Sequence, residues 1–267
     1  MPEIKVMTWN TRLYEYKGSE KSELDGLQIY EEQVKPVIEK HIRQADTSAR
    51  NTIAIAVLQE IPYKFRCENG RWRTHKVFDQ FQQDFMDYDT LCYTAPDAYH
   101  IKMTAVIASK DAVKEIPSVK GNVQKKEQQR NLYLPFTITG TDLKVIALHS
   151  HNAFEARNQL ARFENLKPNV IIGDFNAGNY IKEKDDEKIR PNRLEYLLLT
   201  EGYLDICQGQ YTTKYYTQID HILLENSRSF AQKCNFRNLK VDRQNTVSDH
   251  YPISCEILWE ETQSELL

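Results

Sequence analysis

The chain has 267 residues, of which 40% are hydrophobic and 27% are charged, and its formal net charge is −3. These proportions argue against an intrinsically disordered or membrane-embedded chain, and the mildly acidic total argues against a protein that coats nucleic acid through bulk positive charge. The length suffices for a sizeable core, and because no repeat and no Pro/Gly/Ser-rich linker divides the sequence, we expect a single domain over residues 1–267.

Strand-like and helix-like segments alternate in the first half of the chain. Strands are predicted at residues 4–9, 53–58 and 103–108. Apolar residues recur at helical spacing over 24–44 and 77–86, which predicts helices there. Pro36 lies inside the first of these segments, so we expect a kink or two separate helices.

Six further strands are predicted in the second half, at residues 132–138, 143–148, 170–173, 219–224, 236–241 and 251–259. Helices are predicted at 154–166 and 194–200. The turn at 139–142 makes the first two of these strands a hairpin. The mixture is neither strict β–α alternation nor all-β, so we expect sheets packed together with helices on the outer faces.

The N-terminal region and the cysteines favour an intracellular protein. The first ten residues, MPEIKVMTWN, lack the basic start and apolar run of a secretory signal, and no stretch approaches the ~20 apolar residues of a membrane span. The five cysteines are scattered and form no Cys-x-x-Cys pair, which argues against a zinc knuckle and a disulfide framework. We therefore expect a cytoplasmic protein, monomeric by default.

Polar and ionisable side chains recur at the C-terminal ends of the apolar strands, and one pair comes just before the closing strand. They are Asn10, Glu60, His149, Asp174, Asn176, Asp220, Asp249 and His250. Each alone has an ordinary explanation, such as a turn or a solvated strand end. Six separate strand ends rarely all carry Asn, Asp, Glu or His by chance, and strand ends are where open sheets usually place their sites.

The chemistry of this set is coherent. Its ligands are hard oxygens and contain no thiolate, which favours Mg²⁺ or Mn²⁺ over zinc. A His paired with an Asp can accept a proton from water or stabilise developing charge, and amide side chains can donate to phosphate oxygens. Together these groups indicate metal-assisted hydrolysis of a phosphate ester.

The sequence resembles the endonuclease/exonuclease/phosphatase superfamily in six stretches that follow the family's order. These are TWN at 8–10, LQE at 58–60, ALHS at 147–150, GDFNAG at 173–178, QIDHIL at 218–223 and SDHYPI at 248–253. Each stretch is weak alone, but their order gives a strong signal over residues 4–259. The resemblance implies an α/β fold, a four-layer α/β sandwich in which helices flank two mixed β-sheets.

The resemblance also implies roles for the residues. The divalent cation is assigned to Asn10, Glu60 and Asp249. Asp174 is expected to position or activate the attacking water, and Asn176 to bind the scissile phosphate. His250 is expected to contact the phosphate and stabilise charge, or to act as the base, while Asp220 orients it.

Three more residues match positions found in branches of the superfamily. His149 corresponds to a second histidine that acts on the leaving group or the phosphate, and Arg130 and Asn152 correspond to substrate-contacting positions. The sequence also departs from the family, because the 50 positions from Asn10 to Glu60 exceed the minimal spacing. The role of this insertion, over residues 14–50, stays open.

The substrate also stays open. Inositol-lipid phosphatases of the superfamily usually carry a Trp-Cys-Asp-Arg-like segment where this chain has residues 218–221, which weakens that interpretation. We expect a Mg²⁺-dependent phosphodiesterase acting on nucleic acid. The alternatives are a phosphoesterase for a small molecule or lipid headgroup of the inositol phosphate or sphingomyelin type, and a catalytically silent binding module on the same fold.

Two basic stretches and one aromatic group are candidates for contact with such a substrate. The stretches at 120–130 and 228–243 could hold a phosphate backbone, although a solvated face is the ordinary explanation for each. Tyr211, Tyr215 and Tyr216 could stack on a base or cover a pocket, and packing against the protein explains them equally well.

Overall fold

The computed structural model describes residues 2–16, 19–46, 52–67, 69–88, 90–93, 102–116, 132–150, 166–180, 196–198 and 200–260. The strands are β1 (Glu3–Asn10), β2 (Thr52–Pro62), β3 (Lys64–Arg66), β4 (Trp72–Thr74), β5 (Thr90–Tyr93), β6 (Lys102–Ala108), β7 (Val113–Glu115), β8 (Leu132–Ile138), β9 (Lys144–His149), β10 (Val170–Tyr180), β11 (Tyr203–Asp205), β12 (Thr217–Glu225), β13 (Cys234–Val241) and β14 (Ile253–Trp259). The helices are α1 (Glu20–Ile29), α2 (Lys35–Asp46), α3 (Lys76–Asp84) and α4 (Arg228–Lys233), with a 3₁₀ turn at Leu13–Glu15.

Twelve of these strands form two six-stranded sheets. The first sheet has the order β13-β14-β1-β2-β6-β5, and the second has the order β11-β12-β10-β9-β8-β7. Each sheet contains one parallel pair, β1 with β2 and β9 with β10, among antiparallel neighbours. The prediction of two mixed sheets is confirmed, and the structure adds a separate two-stranded ribbon made of β3 and β4.

The central core lies between the two sheets. Alternate residues of β1 and β2, such as Val6 and Ile55, face the second sheet and pack with residues such as Phe136 and Ile172. This arrangement follows from the two-residue period of a strand, which sends successive side chains to opposite faces.

The intervening residues of β1 and β2 face outwards and meet the helices. Met7 and Ala56 pack with Tyr30, Ile38 and Phe81 of the helical layer. On the outer face of the second sheet, Tyr196 packs against Ile146, Leu148 and Ile171. The layers therefore follow the predicted α/β sandwich.

The long first helix is interrupted as its proline predicts. A π-helical turn at Tyr30–Val34 separates α1 from α2, and Pro36 is the second residue of α2. Proline lacks the N–H that an α-helix uses and crowds the preceding turn, so the wider turn accommodates it. Tyr30 and Val34 remain fully buried against the first sheet.

Most sequence-predicted elements are confirmed within one to several residues, including the hairpin in which Leu132 pairs with His149 and Thr137 with Lys144. The predicted strand at 170–173 extends to Tyr180. The predicted helix at 154–166 lies outside the described residues except for Leu166, and of the predicted helix at 194–200 the described part, 196–198 and 200, is helical. Short elements were missed, namely β3, β4, β5, β7, β11 and α4.

Two further expectations concern membranes and cysteines. Among the described residues, no helix is both long enough and apolar enough to cross a membrane. Cys67, Cys207, Cys234 and Cys255 are free thiols in the part of the chain that the structure describes.

Candidate active site

Strand direction brings the predicted polar residues to one edge of the sandwich. β1 and β2 run parallel, so Asn10 and Glu60 lie at the same end of the first sheet. In the second sheet, Asp174 of β10 is in register with His149 on one side and Asp220 on the other. β12 and β14 run antiparallel to these strands, which is why their polar residues stand near the strand's beginning rather than its end.

Asp174 is the centre of the site and is held by two amides. Asn10 Nδ2 donates to Asp174 Oδ2 at 2.9 Å, and the backbone N–H of Asn176 donates to Asp174 Oδ1 at 2.8 Å. The side chain is fully enclosed, with 1% exposure. Burial raises the pKa of Asp174 to about 7, against the attraction of His250, which lowers it, and with a further rise from the charge of Asp220.

His250 and Asp220 form a buried pair opposite Asp174. His250 Nδ1 lies 2.9 Å from both carboxylate oxygens of Asp220, and Thr212 Oγ1 donates to Asp220 Oδ2 at 2.8 Å. Burial by itself lowers the pKa of His250, but the charges of Asp220 and Asp174 and the hydrogen bond to Asp220 outweigh it and raise the pKa to about 10. His250 is therefore an imidazolium at neutral pH.

The second histidine approaches Asp174 from the other side. His149 Nε2 lies 3.8 Å from Asp174 Oδ2 and 3.5 Å from Glu60 Oε1. His250 Nδ1 lies 3.9 Å from that same oxygen of Asp174. The two histidines flank one carboxylate oxygen, so the structure assembles five of the predicted residues, Asn10, Glu60, His149, Asp174 and His250, around a single point.

Two basic residues that were not predicted as site residues form ion pairs with carboxylates assigned to the metal. Lys102 Nζ contacts Glu60 Oε1 at 2.6 Å and lies 4.3 Å from the ring centroid of Tyr14. Arg12 forms an ion pair with Asp249 and a second with Glu15. No local pattern marks Lys102, because its position depends on the pairing of β6 with β2, in which it faces Pro62.

Backbone irregularities give the site residues their directions. Glu60 and Asn176 have positive φ angles of 61° and 48°, and each lies in a register shift of its strand. Such bulges re-aim side chains, and a positive φ at a residue other than glycine costs free energy that the surrounding structure must supply. Gly173 has φ 146°, and a Cβ there would lie 1.9 Å from the carbonyl oxygen of Leu148.

A second buried pair, His221 with Asp205, supports the irregular part of β10 at Ala177. His221 Nδ1 lies 3.0 Å from Asp205 Oδ2, and His221 Nε2 donates to the carbonyl of Ala177 at 2.8 Å. Tyr196 and Gln218 also donate to Asp205 Oδ2, at 2.6 and 2.7 Å. His221 stands next to Asp220 in the QIDHIL stretch, which is the only sequence signal that pointed to it.

The structure describes only some of the other residues that were predicted to contact the substrate. Arg130 and Asn152 lie outside the described residues, as does the basic stretch at 120–130. In the stretch at 228–243, Arg237 is engaged by Glu3 and Glu256, and Arg243 stacks at 3.9 Å from the ring centroid of Tyr211. Tyr215 and Tyr216 are 57% and 45% exposed, on a loop whose Thr213 pairs with His250.

Comparison with known proteins finds relatives by structure. No protein-family model and no curated protein matches the sequence. The structure is similar to an AP endonuclease from Leishmania major, with a TM-score of 0.59 and 11% identity, covering 97% of this chain and 88% of that one.

Two other solved structures are similar to this chain over the whole of their own length. The endonuclease domain of TRAS1, a telomere-specific non-LTR retrotransposon, has a TM-score of 0.56 and 14% identity over 97% of this chain. An endonuclease/exonuclease/phosphatase family protein from Leptotrichia buccalis C-1013-b has a TM-score of 0.52 and 15% identity, also over 97% of this chain. The chain has the fold of the endonuclease/exonuclease/phosphatase superfamily.

Proposed function

We propose that this protein is a divalent-metal-dependent phosphodiesterase that hydrolyses phosphate esters of nucleic acid. The observation that carries the proposal is the arrangement around Asp174, whose carboxylate stands between the His250–Asp220 pair and His149. The six resembling sequence stretches supply every one of these residues. An AP endonuclease and a retrotransposon endonuclease are among the structures with this fold, which supports nucleic acid as the substrate.

The two buried acid–base groups suit opposite tasks. Asp174, with a pKa of about 7, can accept a proton from an attacking water, since a general base works best when its pKa lies near the operating pH. His250, with a pKa of about 10, keeps both ring protons and donates from Nε2 to a phosphate oxygen, because Nδ1 is engaged by Asp220. Of the two roles implied for His250, the proposal therefore takes charge stabilisation rather than base catalysis.

The other residues orient the reaction. Asn176 is held by its own side chain, whose Nδ2 donates to the carbonyl of Ser150 at 2.6 Å, so its place beside Asp174 is rigid. His149 lies on β9, and Asp220, the partner of His250, lies on β12, so the two strands flank Asp174 of β10. We assign His149 to bind or protonate the leaving oxygen. A base, a cationic donor and a second histidine are the groups that we assign to attack, charge stabilisation and departure of the leaving group in a displacement at phosphorus.

The donor set fits a hard divalent cation. The residues assigned to the ion, Asn10, Glu60 and Asp249, offer amide and carboxylate oxygens. Asp174, Asp220 and His250 form an adjoining buried cluster whose ligand atoms lie within 4.8 Å of one another. A protonated imidazole has no lone pair to offer, so the proposal leaves His250 out and keeps Asn10, Glu60 and Asp249 as the residues that would hold the ion. Bound Mg²⁺ or Mn²⁺ would neutralise phosphate charge and polarise the scissile ester.

The proposal is tested by a substrate panel with and without EDTA. Single- and double-stranded DNA, RNA, an abasic oligonucleotide, inositol phosphates and sphingomyelin are incubated with the protein in Mg²⁺. Nucleic acid cleavage that EDTA abolishes is the expected result. Hydrolysis confined to inositol phosphates or sphingomyelin would replace the substrate class, and a metal-binding protein inactive on the whole panel would instead be a binding module.

A further inference from the structure

The β3–β4 ribbon begins at the edge of the site. Lys64, its first residue, is four positions after Glu60 and two after the end of β2. Residues 63–76 contain five Lys or Arg and one acidic residue, Glu68, although the whole chain is acidic. The ribbon is therefore a local concentration of positive charge that the chain's composition conceals.

The inner face of the ribbon is anchored to α1. Phe65 and Arg73 face each other across the two strands, and the Arg73 guanidinium lies 4.2 Å from the Phe65 ring centroid. Arg73 forms a two-pronged ion pair with Glu23, whose side chain is 1% exposed and also accepts from the backbone N–H of Lys76 at 2.7 Å. The ribbon is thus held rigidly, and Arg73 is committed to holding it.

The outer face carries a different set of side chains. Arg66 is directly opposite Trp72, so both point to the side away from Phe65, and Arg71 adjoins them at the turn. Arg66 and Arg71 are exposed and Trp72 is 47% exposed. Among the described carboxylates, none forms an ion pair with Arg66 or Arg71. Arg66 Nε donates to the carbonyl oxygen of Gly70 at 3.2 Å, so its guanidinium is held near the turn while the side chain stays exposed. The outer face thus presents two guanidinium groups and a half-exposed indole together.

We propose that the outer face of this ribbon, formed by Arg66, Arg71 and Trp72, binds the backbone of a nucleic acid strand that runs from the site. The inference rests on the proposed function and adds to it the surface that grips the polymer. Guanidinium groups bind phosphates, and an indole stacks on any base, so together they hold a strand without selecting its sequence.

A nucleic acid strand of modest length can span the site and the ribbon. Arg66 is six positions after Glu60, so the two are no more than about 20 Å apart. A nucleic acid strand covers that span in roughly six nucleotides at about 3.4 Å each. A strand of about this length or longer can therefore occupy the site and the ribbon together.

The experiment measures binding in EDTA, where no cleavage occurs. The variant R66Q/R71Q is compared with wild type for a fluorescent 20-nucleotide single strand, by anisotropy, at several salt concentrations between 50 and 200 mM. The dependence of log K on log salt should become shallower by about 1.4, since each phosphate contact contributes about 0.7 for single strands. Trp72→Ala should weaken binding with an unchanged salt slope, because the indole carries no charge.

The matched control is K144Q/K167Q, which removes the same charge from the opposite end of β9 and β10, where both lysines are exposed. It should keep the wild-type affinity and slope. Binding to vesicles of phosphatidylcholine and phosphatidylserine is measured in parallel. Three results would overturn the inference. They are no binding of the single strand by wild type at 50 mM salt, equal salt slopes for R66Q/R71Q and wild type, or a variant that loses binding to the vesicles and keeps binding to the single strand. Hydrolysis of bis(p-nitrophenyl) phosphate by wild type tests the proposed function separately, since that diester has no polymer backbone for the ribbon to bind.

Discussion

Lys102 Nζ lies 2.6 Å from Oε1 of Glu60, and His149 Nε2 lies 3.5 Å from the same oxygen. The side chains of Lys102 and Glu60 are only 14% and 9% exposed, so this contact is well shielded from solvent. Arg12 likewise forms an ion pair with Asp249, the other carboxylate assigned to the cation. Two carboxylates assigned to the cation thus each have a positive partner within the protein, and that partner must compete with the ion.

Removing Lys102 should therefore strengthen cation binding. Lys102→Met keeps the length of the side chain and deletes a charge that repels the ion and occupies a Glu60 oxygen. We expect Mn²⁺ to bind several-fold more tightly to Lys102→Met and more weakly to Glu60→Ala, measured by isothermal titration calorimetry. Lys114→Met, at an exposed position on β7, is the control. Equal Mn²⁺ affinity in all four proteins would remove Glu60 from the ligand set.

Asp174→Asn and His250→Ala should each lower kcat by about 10²–10⁴-fold, the usual contribution of a positioned acid or base. Asp174→Asn preserves the shape of its side chain, and circular dichroism identifies the variants that remain folded. Steady-state kinetics on the best substrate of the panel provides the measurement. Activity above a tenth of wild type in either folded variant contradicts the assigned roles.

Breaking the His221–Asp205 pair should destabilise the fold. Burial raises the pKa of Asp205, but the charge of His221 and the hydrogen bonds from His221, Tyr196 and the backbone of Cys207 bring it below the ordinary value. Asp205 in turn raises the pKa of His221, although burial lowers it. Asp205→Asn breaks this buried pair, which typically costs about 3–5 kcal/mol. Urea unfolding measures the loss, and Asp142→Asn in an exposed turn should change stability by less than about 0.5 kcal/mol. Similar losses in both variants would show that the pair is not stabilising.

His41 should make the fold sensitive to mild acid. Its ring lies under the first sheet with Nε2 3.1 Å from the carbonyl oxygen of Ile55, and burial lowers its pKa to about 4 despite that hydrogen bond. Between pH 6.5 and 4 the unfolded state binds this proton and the folded state does not, so stability falls as the pH falls. The loss should total about 3 kcal/mol.

The His41→Gln variant isolates this effect. Its side-chain amide can still donate a hydrogen bond but does not titrate, so the difference in unfolding free energy between wild type and variant should change across this pH range. Denaturant unfolding at pH 7.5, 6, 5 and 4 provides the measurement. Parallel profiles for the two proteins would show that His41 is not the group that titrates.

Much of the fold and the identity of the central residues could be predicted from local patterns. Apolar runs and strand-length alternation marked the central strands, as in residues 4–9, which became Glu3–Asn10. The three-residue strands β3, β4, β7 and β11 were missed because so few residues establish no period. The ribbon's basic outer face was missed for the same reason.

The sequence by itself determined which chemical groups are available at the site, because each one belongs to a short stretch tied to a strand, as Asp174 is to VIIGDFN. Tertiary structure alone decided which charges meet. Lys102 reaches Glu60 across 42 positions only because β6 pairs antiparallel with β2 beyond a bulge. The pKa values of Asp174 and His250 follow from burial and from one another's charge, and electrostatic energies of that kind depend on distances that only the folded chain sets.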